Sequence, residues 1–326
     1  MSALDLVVLF EHPEWQKPLF AALERRGVRF GTFDLKKASF LEADPPAAPL
    51  YFNQASPSAY LRGNARAVPM ALAIIKNLEE KGARVINGSK ALTLELSKST
   101  QAALLRRLGL RGPRTAVFND VEALRSIAAS FAWPALVKPE QGGSGARMYL
   151  LESFEELERL LLLKPELWLP DNLLLLQEYI PTDPKQGIVR MEFLGGELLY
   201  AMRVISHGSF NLCPSVECNP VDGEDGGACA VPQPAGVPPV EFIPFPEVPR
   251  EAVEGGKRIM AAGGLDVGGI EYLATPEGPV FYDINANSNL RAPIGEAFGL
   301  DPFDRVVDFL VAQRAAAGSR LVLDTH

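Results

Sequence analysis

The first 35 residues alternate in kind. A strand-like run, "LDLVVLF" (4–10), is followed by "PEWQKPLFAALERRG" (13–27), with apolar residues at helical spacing and Gly27 as a stop. A second strand-like run, "VRFGTFDL" (28–35), comes next. Strand, helix and strand at this spacing predict a βαβ unit with a parallel sheet, which constrains the fold more than any other feature of the chain. The pattern recurs in "AVPMALAIIKNLEEKG" (67–82), a helix ending in Gly82, and "ARVIN" (83–87), a strand. A small α/β domain is therefore expected over residues 1–92. Between its halves, "DPPAAPLYFNQASPSAY" (44–60) reads as a Pro-rich surface segment with a short strand at most.

Beyond residue 92 the pattern changes. "LTLELSKSTQAALLRRLGL" (92–110) reads as one helix, followed by the helix "DVEALRSIAASF", the strand "PALVKPE", the helix "SFEELERLLLL" and the strand "NLLLLQEYI". "GIVRMEFLGGELLYAMRVIS" (187–206) predicts a β-hairpin turning at Gly195-Gly196. The helix "PREAVEGGKRIMAAGG" (249–264) precedes two strand-like runs, "GGIEYLAT" and "PVFYDINA". Residues 212–240 are Gly/Pro-rich without clear periodicity.

At 326 residues with net charge −8, the chain is long enough for two or three domains and carries no basic surface advertising nucleic acid. The start "MSALDLVVLFEHPEW" has no basic n-region, and the longest apolar stretch, "LERLLLLKPELWLPDNLLLL", is interrupted by Glu, Lys, Pro and Asp. Neither a signal peptide nor a membrane span is expected, and the protein reads as cytoplasmic. Three cysteines do not make a disulfide framework.

Three stretches concentrate polar chemistry. In "YDINANSNL" (282–290), Asp283, Asn285 and Asn287 stand at alternate positions after an apolar run. Taken alone they read either as the start of a loop bonded to local backbone or as hard oxygen ligands for Mg²⁺. In "LVKPEQGGSGARMYLL" (136–151), a strand carries Lys138 into a turn of Gly142, Gly143, Ser144 and Gly145. Such a turn is either a plain hairpin or a phosphate nest of backbone amides. It is neither a P-loop nor a dinucleotide fingerprint. In "LLLLQEYIP" (173–181), Gln177, Glu178, Tyr179 and Ile180 end a strand, where a linker meeting an adenine edge and an ordinary strand end are both open readings.

The order of these features resembles the ATP-grasp superfamily, and within it the RimK-type carboxylate–amine (alpha-L-glutamate) ligases. Lys98 on a helix is followed by Lys138 and its glycine turn, "QEYI", Arg190 and Arg203 on a hairpin, Glu271 on one strand, and Asp283 and Asn285 on the next. "IVRMEFLGGELLYAMRV" and "GSFNL" (208–212) are similar to the RimK-type hairpin and the turn after it. The resemblance implies an α/β and α+β protein. Two α+β subdomains clamping ATP would occupy 93–326, with a lid-bearing subdomain over about 112–184 and a catalytic one over about 185–326. The parallel-sheet pre-ATP-grasp domain would be 1–92.

The same resemblance implies ATP and two Mg²⁺ ions, with Mn²⁺ as an alternative, and small-molecule or peptide carboxylate and amine substrates. Lys98 and Lys138 would contact the phosphates, with 142–145 as a lid. Gln177 and Glu178 would meet the adenine amino group beside Tyr179, Ile180 would pair with the ring through its backbone, and Asp183 or a neighbour would hold the ribose. Glu271, Asp283 and Asn285 would bind the metal. Arg203, with Arg190 and Asn211, would face the γ-phosphate and acyl phosphate. The implied chemistry is amide formation through an acyl phosphate, releasing ADP and phosphate. A protein-modifying glutamate ligase and a non-catalytic ATP-binding regulatory protein are the alternatives, and an oligomer is compatible with the family.

The chain departs from its relatives at "DINANSN", where many carry Glu first and a Pro-Gly soon after the Asn. Asn289 and Arg291 replace the usual turn on the acceptor side, so the usual substrates do not carry over. Cys213, Cys218 and Cys229, with His207 upstream, lack a close C-x₂-C pair and read as a loop near the acceptor site rather than a zinc site. His12 reads as a helix-entry residue and His326 as a mobile terminus.

Overall fold

A computed structural model describes residues 4–143, 145–183, 186–206, 240–288 and 290–323, with side chains through residue 316. Ser144, His207, Asn211, Cys213, Cys218, Cys229, Asn289, His326 and the 208–212 turn lie outside the described residues.

The N-terminal unit comprises β1 (Leu6–Phe10), α1 (Pro13–Arg25), β2 (Phe30–Asp34), β3 (Leu50–Gln54), α2 (Ala67–Glu80) and β4 (Arg84–Ile86). Its strands are parallel in the order β2-β1-β3-β4. The expected surface segment at 44–60 is corrected here. Its "LYFNQ" is β3, an interior strand with every residue buried. Flanking prolines hide a five-residue run whose depth comes from partners on both edges, which local composition does not report.

The single helix expected over 92–110 is two, α3 (Ser89–Glu95) and α4 (Lys98–Arg107). Ser97 breaks it by accepting the Thr100 amide at 3.1 Å as the N-cap of α4.

The second unit contains β5 (Thr115–Phe118), α5 (Val121–Ala128), β6 (Ala135–Pro139), β7 (Tyr149–Leu151), α6 (Phe154–Leu163) and β8 (Leu174–Glu178), its strands antiparallel in the order β5-β8-β6-β7. The third holds β9 (Ile188–Leu194), β10 (Glu197–Ile205), β11 (Glu241–Pro244), α7 (Arg250–Gly263), β12 (Val267–Thr275), β13 (Gly278–Asn285), α8 (Ala292–Ala297) and α9 (Pro302–Leu323). Its order is β11-β10-β9-β12-β13. The β9–β10 turn has Gly195 at φ 60° and Gly196 at φ 85°, a pair of left-handed positions that matches the expected hairpin.

Each sheet buries a face under helices. Ala135, Val137, Leu174 and Leu176 pack with Leu124 of α5 and Leu157 of α6. Met191, Ile270 and Phe281 pack with Leu104 and Leu105 of α4 and Ile259 of α7. The last helix returns to the first sheet: Val306, Val307 and Leu310 pack with Leu6, Val8 and Leu19. A division at residue 92 does not anticipate that association. Among the described residues no helix is long and apolar enough to cross a membrane.

Candidate active site

The remaining faces of the second and third sheets bound a cleft of about 570 Å³, closed at one side by the N-terminal unit. Alternation along each strand decides which residues reach it. On β6, Leu136 and Lys138 face the cleft while Ala135 and Val137 face the core. On β13, Asp283 and Asn285 face the cleft while Ile284 faces the core.

Lys138 is 5 % exposed, and its ammonium has no hydrogen-bond or ion-pair partner among the described residues. Burial, then the neighbouring Lys98, pulls its pKa down to about 7. Lys98 reaches the same cleft from the first turn of α4 and forms an ion pair with Asp283. Burial lowers its pKa to about 8. The two lysines are tied together by Glu140, which follows β6. Its carboxylate accepts from the Ser99 amide at 3.0 Å and from the Ser97 and Ser99 hydroxyls, each at 2.5 Å. Glu140 thereby caps α4 and fixes one lysine relative to the other.

Glu271 of β12 pairs in register with Asp283 of β13, and Gly269 with Asn285. The register shifts immediately beyond, so that Tyr272 pairs with Phe281 and Tyr282 is the extra residue of a bulge. The bulge brings Tyr282 to the cleft beside Asp283, where its hydroxyl donates to Glu271 Oε2 at 2.6 Å. Arg190 Nη1 donates to Glu271 Oε1 at 2.9 Å, and its Nε to Glu192 at 2.6 Å. Burial works against the Arg190 charge, but the two carboxylates outweigh it and hold its pKa above the ordinary value. The guanidinium lies over Gly269, where an added Cβ would come within 2.5 Å of Nη2.

No group of three or more His, Cys, Asp or Glu gathers among the described residues. The third donor beside the two carboxylates is the Asn285 amide, whose Nδ2 donates to Asp283 Oδ2 at 3.2 Å. Two carboxylates and an amide oxygen on adjacent strands are hard donors of the kind Mg²⁺ takes, so the residues present fit that ion.

Gly142, Gly143 and Gly145 line the cleft between the lysines and the N-terminal unit, with Gly145 at φ 72°. A Cβ on Gly143 would lie 2.6 Å from Ser58 Cβ, so the loop is seated against the first unit. Gln141 reinforces the seat by donating to the Pro57 carbonyl at 2.9 Å. Gln177 is buried, and its Nε2 donates to Thr115 Oγ1 at 2.9 Å. Glu178, Tyr179, Ile180 and Thr182 follow it along the rim, whereas Asp183 is exposed and does not line the cleft.

Besides Asp183, a second expected residue stands apart from this assembly. Arg203 pairs with Val189, whose side chain is in the α7-facing core, so it lies on the far face of the sheet. Its guanidinium stacks over the Phe245 ring at 4.6 Å. The two hairpin arginines are in adjacent registers, Arg190 with Met202 and Arg203 with Val189, and so cannot share a face.

Glu95 and Tyr282 reach the cleft without having been singled out from sequence, as does Arg291, noted there only as a departure from the usual turn; Glu192, which accepts from Arg190 at 2.6 Å, was not singled out either. Glu192 had a readable signal, since it lies two residues after Arg190 on one strand. Glu95 is the only acid of α3 and its last residue, which gave no sign of a role. Tyr282 had no such signal, because regular alternation sends it away from Asp283.

No family model matches the chain. It is 25 % identical over 73 % of its length, and 70 % of the relative's, to a protein of Pseudoalteromonas atlantica named probable alpha-L-glutamate ligase 1. Among solved structures, a RimK domain ATP-grasp protein from Sphaerobacter thermophilus superposes with a TM-score of 0.67 at 18 % identity, covering 93 % of this chain and 98 % of that one. The chain has the ATP-grasp fold. The ATP-grasp ligase PsnB, complexed with Mg, ADP and a phosphomimetic variant of its minimal precursor, gives a TM-score of 0.63 at 20 % identity over 95 % of this chain and 98 % of that one. The resemblance read from "VKPEQGGSG", "QEYI" and "YDIN" therefore holds in sequence and in fold.

Proposed function

We propose that this ATP-grasp protein is an ATP-dependent carboxylate–amine ligase that forms an amide bond through an acyl phosphate. The observation that carries the reading is Lys138: a buried lysine with no ion-pair partner in contact among the described residues, facing a cleft that also holds the register-paired carboxylates Glu271 and Asp283. A buried unpaired charge is costly unless a ligand completes it, and a triphosphate does so. Lys98 and Lys138 bind the phosphates, and the 142–145 loop covers them. Gln177, Glu178 and the Tyr179–Ile180 backbone meet the adenine, with Thr182, the cleft-lining neighbour of Asp183, at the ribose. Glu271, Asp283 and Asn285 would hold two Mg²⁺, which when bound neutralise phosphate charge.

A substrate carboxylate oxygen attacks the γ-phosphorus, the bond to the β-phosphate oxygen breaks, and ADP leaves. An amine then attacks the acyl carbon, phosphate departs with the C–O bond pair, and the amine's proton passes to solvent. Such transfers ask mainly for positioning and charge neutralisation. Arg190, between Glu192 and Glu271, is placed to hold the acyl phosphate. Seating the glycine loop on Ser58 keeps water from that intermediate.

The test is ADP release from Mg·ATP with pools of carboxylates and amino acids. Lys138→Ala lowers the rate on the order of 100-fold with the fold retained. Tight ATP binding without ADP release in any pool would instead support the regulatory alternative.

A further inference from the structure

The carboxylates expected to hold the metal already have partners within the chain. Glu271 accepts from Arg190 and from Tyr282, while Asp283 accepts from Asn285 and pairs with Lys98. The two cations are held differently. Arg190 is fixed by a second carboxylate, that of Glu192, and its guanidinium lies over Gly269. Lys98 has no ion-pair partner other than Asp283 among the described residues. A lysine ammonium also rides on a long flexible stem, whereas a guanidinium is a rigid fork. Of the two, Lys98 is the one able to leave.

Its destination lies beside it. A Cβ on Gly142 would stand 3.9 Å from Lys98 Cε, so the lysine stem runs along the glycine turn that the reading above lays over the phosphates. The helix need not move, because Glu140 holds Ser97 and Ser99 on either side of Lys98. Rotation of the side chain alone carries the ammonium from Asp283 to an anion at that turn. While it stays on Asp283, it opposes any second cation there, since two positive charges on one carboxylate repel each other.

We infer that Lys98 is the resident counter-cation of Asp283, and that nucleotide phosphates must draw it away before Asp283 accepts a divalent ion. Metal affinity is thereby conditional on nucleotide. The inference rests on the ligase reading and adds an order of binding to it. Lys98 serves twice: it neutralises Asp283 in the resting cleft and phosphate in the loaded one.

The experiment titrates Mn²⁺, which takes the same oxygen donors as Mg²⁺, into the full chain and reads free Mn²⁺ by electron paramagnetic resonance. Without nucleotide, wild type takes up Mn²⁺ only at millimolar concentration. Lys98→Met keeps the stem and removes the charge, and it binds Mn²⁺ about 10- to 100-fold more tightly. Adding Asp283→Asn to that variant abolishes the gain. Lys76→Met, at an exposed lysine of α2, leaves the wild-type value unchanged. With a non-hydrolysable ATP analogue present, wild type takes up Mn²⁺ at micromolar concentration. Micromolar uptake by wild type without nucleotide overturns the proposal, and so does equal uptake by wild type and Lys98→Met. The first of these needs no variant, so it decides even where Lys98→Met fails to fold. Failure of wild type to bind the analogue, with or without Mn²⁺, overturns the ligase reading instead.

Discussion

Lys138 shows how a single residue couples the site to pH. Its pKa of about 7 means that it is largely neutral in the nucleotide-free protein above that pH. A bound triphosphate favours the charged form, so ATP binding takes up a proton above pH 7, and affinity falls as pH rises. Calorimetry at pH 8 in buffers of different ionisation enthalpy detects that proton, and its absence would falsify the assignment of Lys138 to the phosphates. Glu95 is shifted in the other direction. Burial raises its pKa from 4.5 to about 7, against the Asn287 amide that donates to Oε1, and its Oε2 has no partner. Between those pH values the folded state holds a proton that the unfolded chain has released, so stability declines as pH climbs through the window. Glu95→Gln removes the decline: it unfolds like wild type at pH 5 and is more stable by on the order of 2 kcal/mol at pH 8. Equal denaturation midpoints at pH 8 would contradict the buried carboxyl. Lys138, Glu271, Asp283 and Asn285 were legible because chemistry and spacing coincide on regular strands. The bulge at Tyr282 and the far-face position of Arg203 were not, since both depend on pairing partners distant in sequence.

At the scale of elements, the glycine stops, the hairpin and most helices could be read from the chain, and the failures share a cause. The α3–α4 break is a local event with a local signal, Ser97, but apolar periodicity continues through it. Tertiary bonds hold the two helices apart: the Glu140 carboxylate takes both serine hydroxyls and an amide of the first turn of α4. Losing such a cap costs about 2 kcal/mol, at the upper end because the acceptor is charged and buried. Glu140→Ala therefore lowers stability by about that amount in denaturant titrations. It also weakens ATP binding, since Lys98 loses its fixed distance from Lys138. Glu140→Ala binding ATP as wild type does would show that α4 is positioned by its core contacts alone. β3 was misread for a related reason, because its flanking prolines describe the connections while its own residues are buried by neighbours on both sides.

For the whole molecule, the question is what joins the N-terminal unit to the third sheet, and the sequence gives little sign of the answer. Asn87 is fully buried at the end of β4, with φ 53°, a left-handed conformation that asparagine tolerates. Its Nδ2 donates to the Val267 carbonyl at 2.9 Å and the Ala286 carbonyl at 2.6 Å, while Oδ1 accepts the amides of Asp266 at 2.9 Å and Val267 at 3.2 Å. One side chain thus satisfies four backbone groups at the start of β12 and just past the end of β13, the strands that carry Glu271, Asp283 and Asn285. Its own amide donates to Asp266 Oδ2 at 2.9 Å, and Arg84 pairs with the same carboxylate. In "VINGSK" such an asparagine looks like any turn residue, because the partners lie some 180 positions away in sequence. Truncation leaves those groups unpaired in a dry interface, at a cost of about 3 kcal/mol for Asn87→Ala. Asn87→Asp is worse despite its matching shape, since it replaces two donors with an acceptor beside Asp266. The order wild type, Ala, Asp in urea midpoints is the expected result, with the Ala variant also losing ATP affinity as the strands carrying Glu271, Asp283 and Asn285 loosen. Asn87→Asp matching wild type would mean that the packing of α9 on the first sheet holds the units together without this amide.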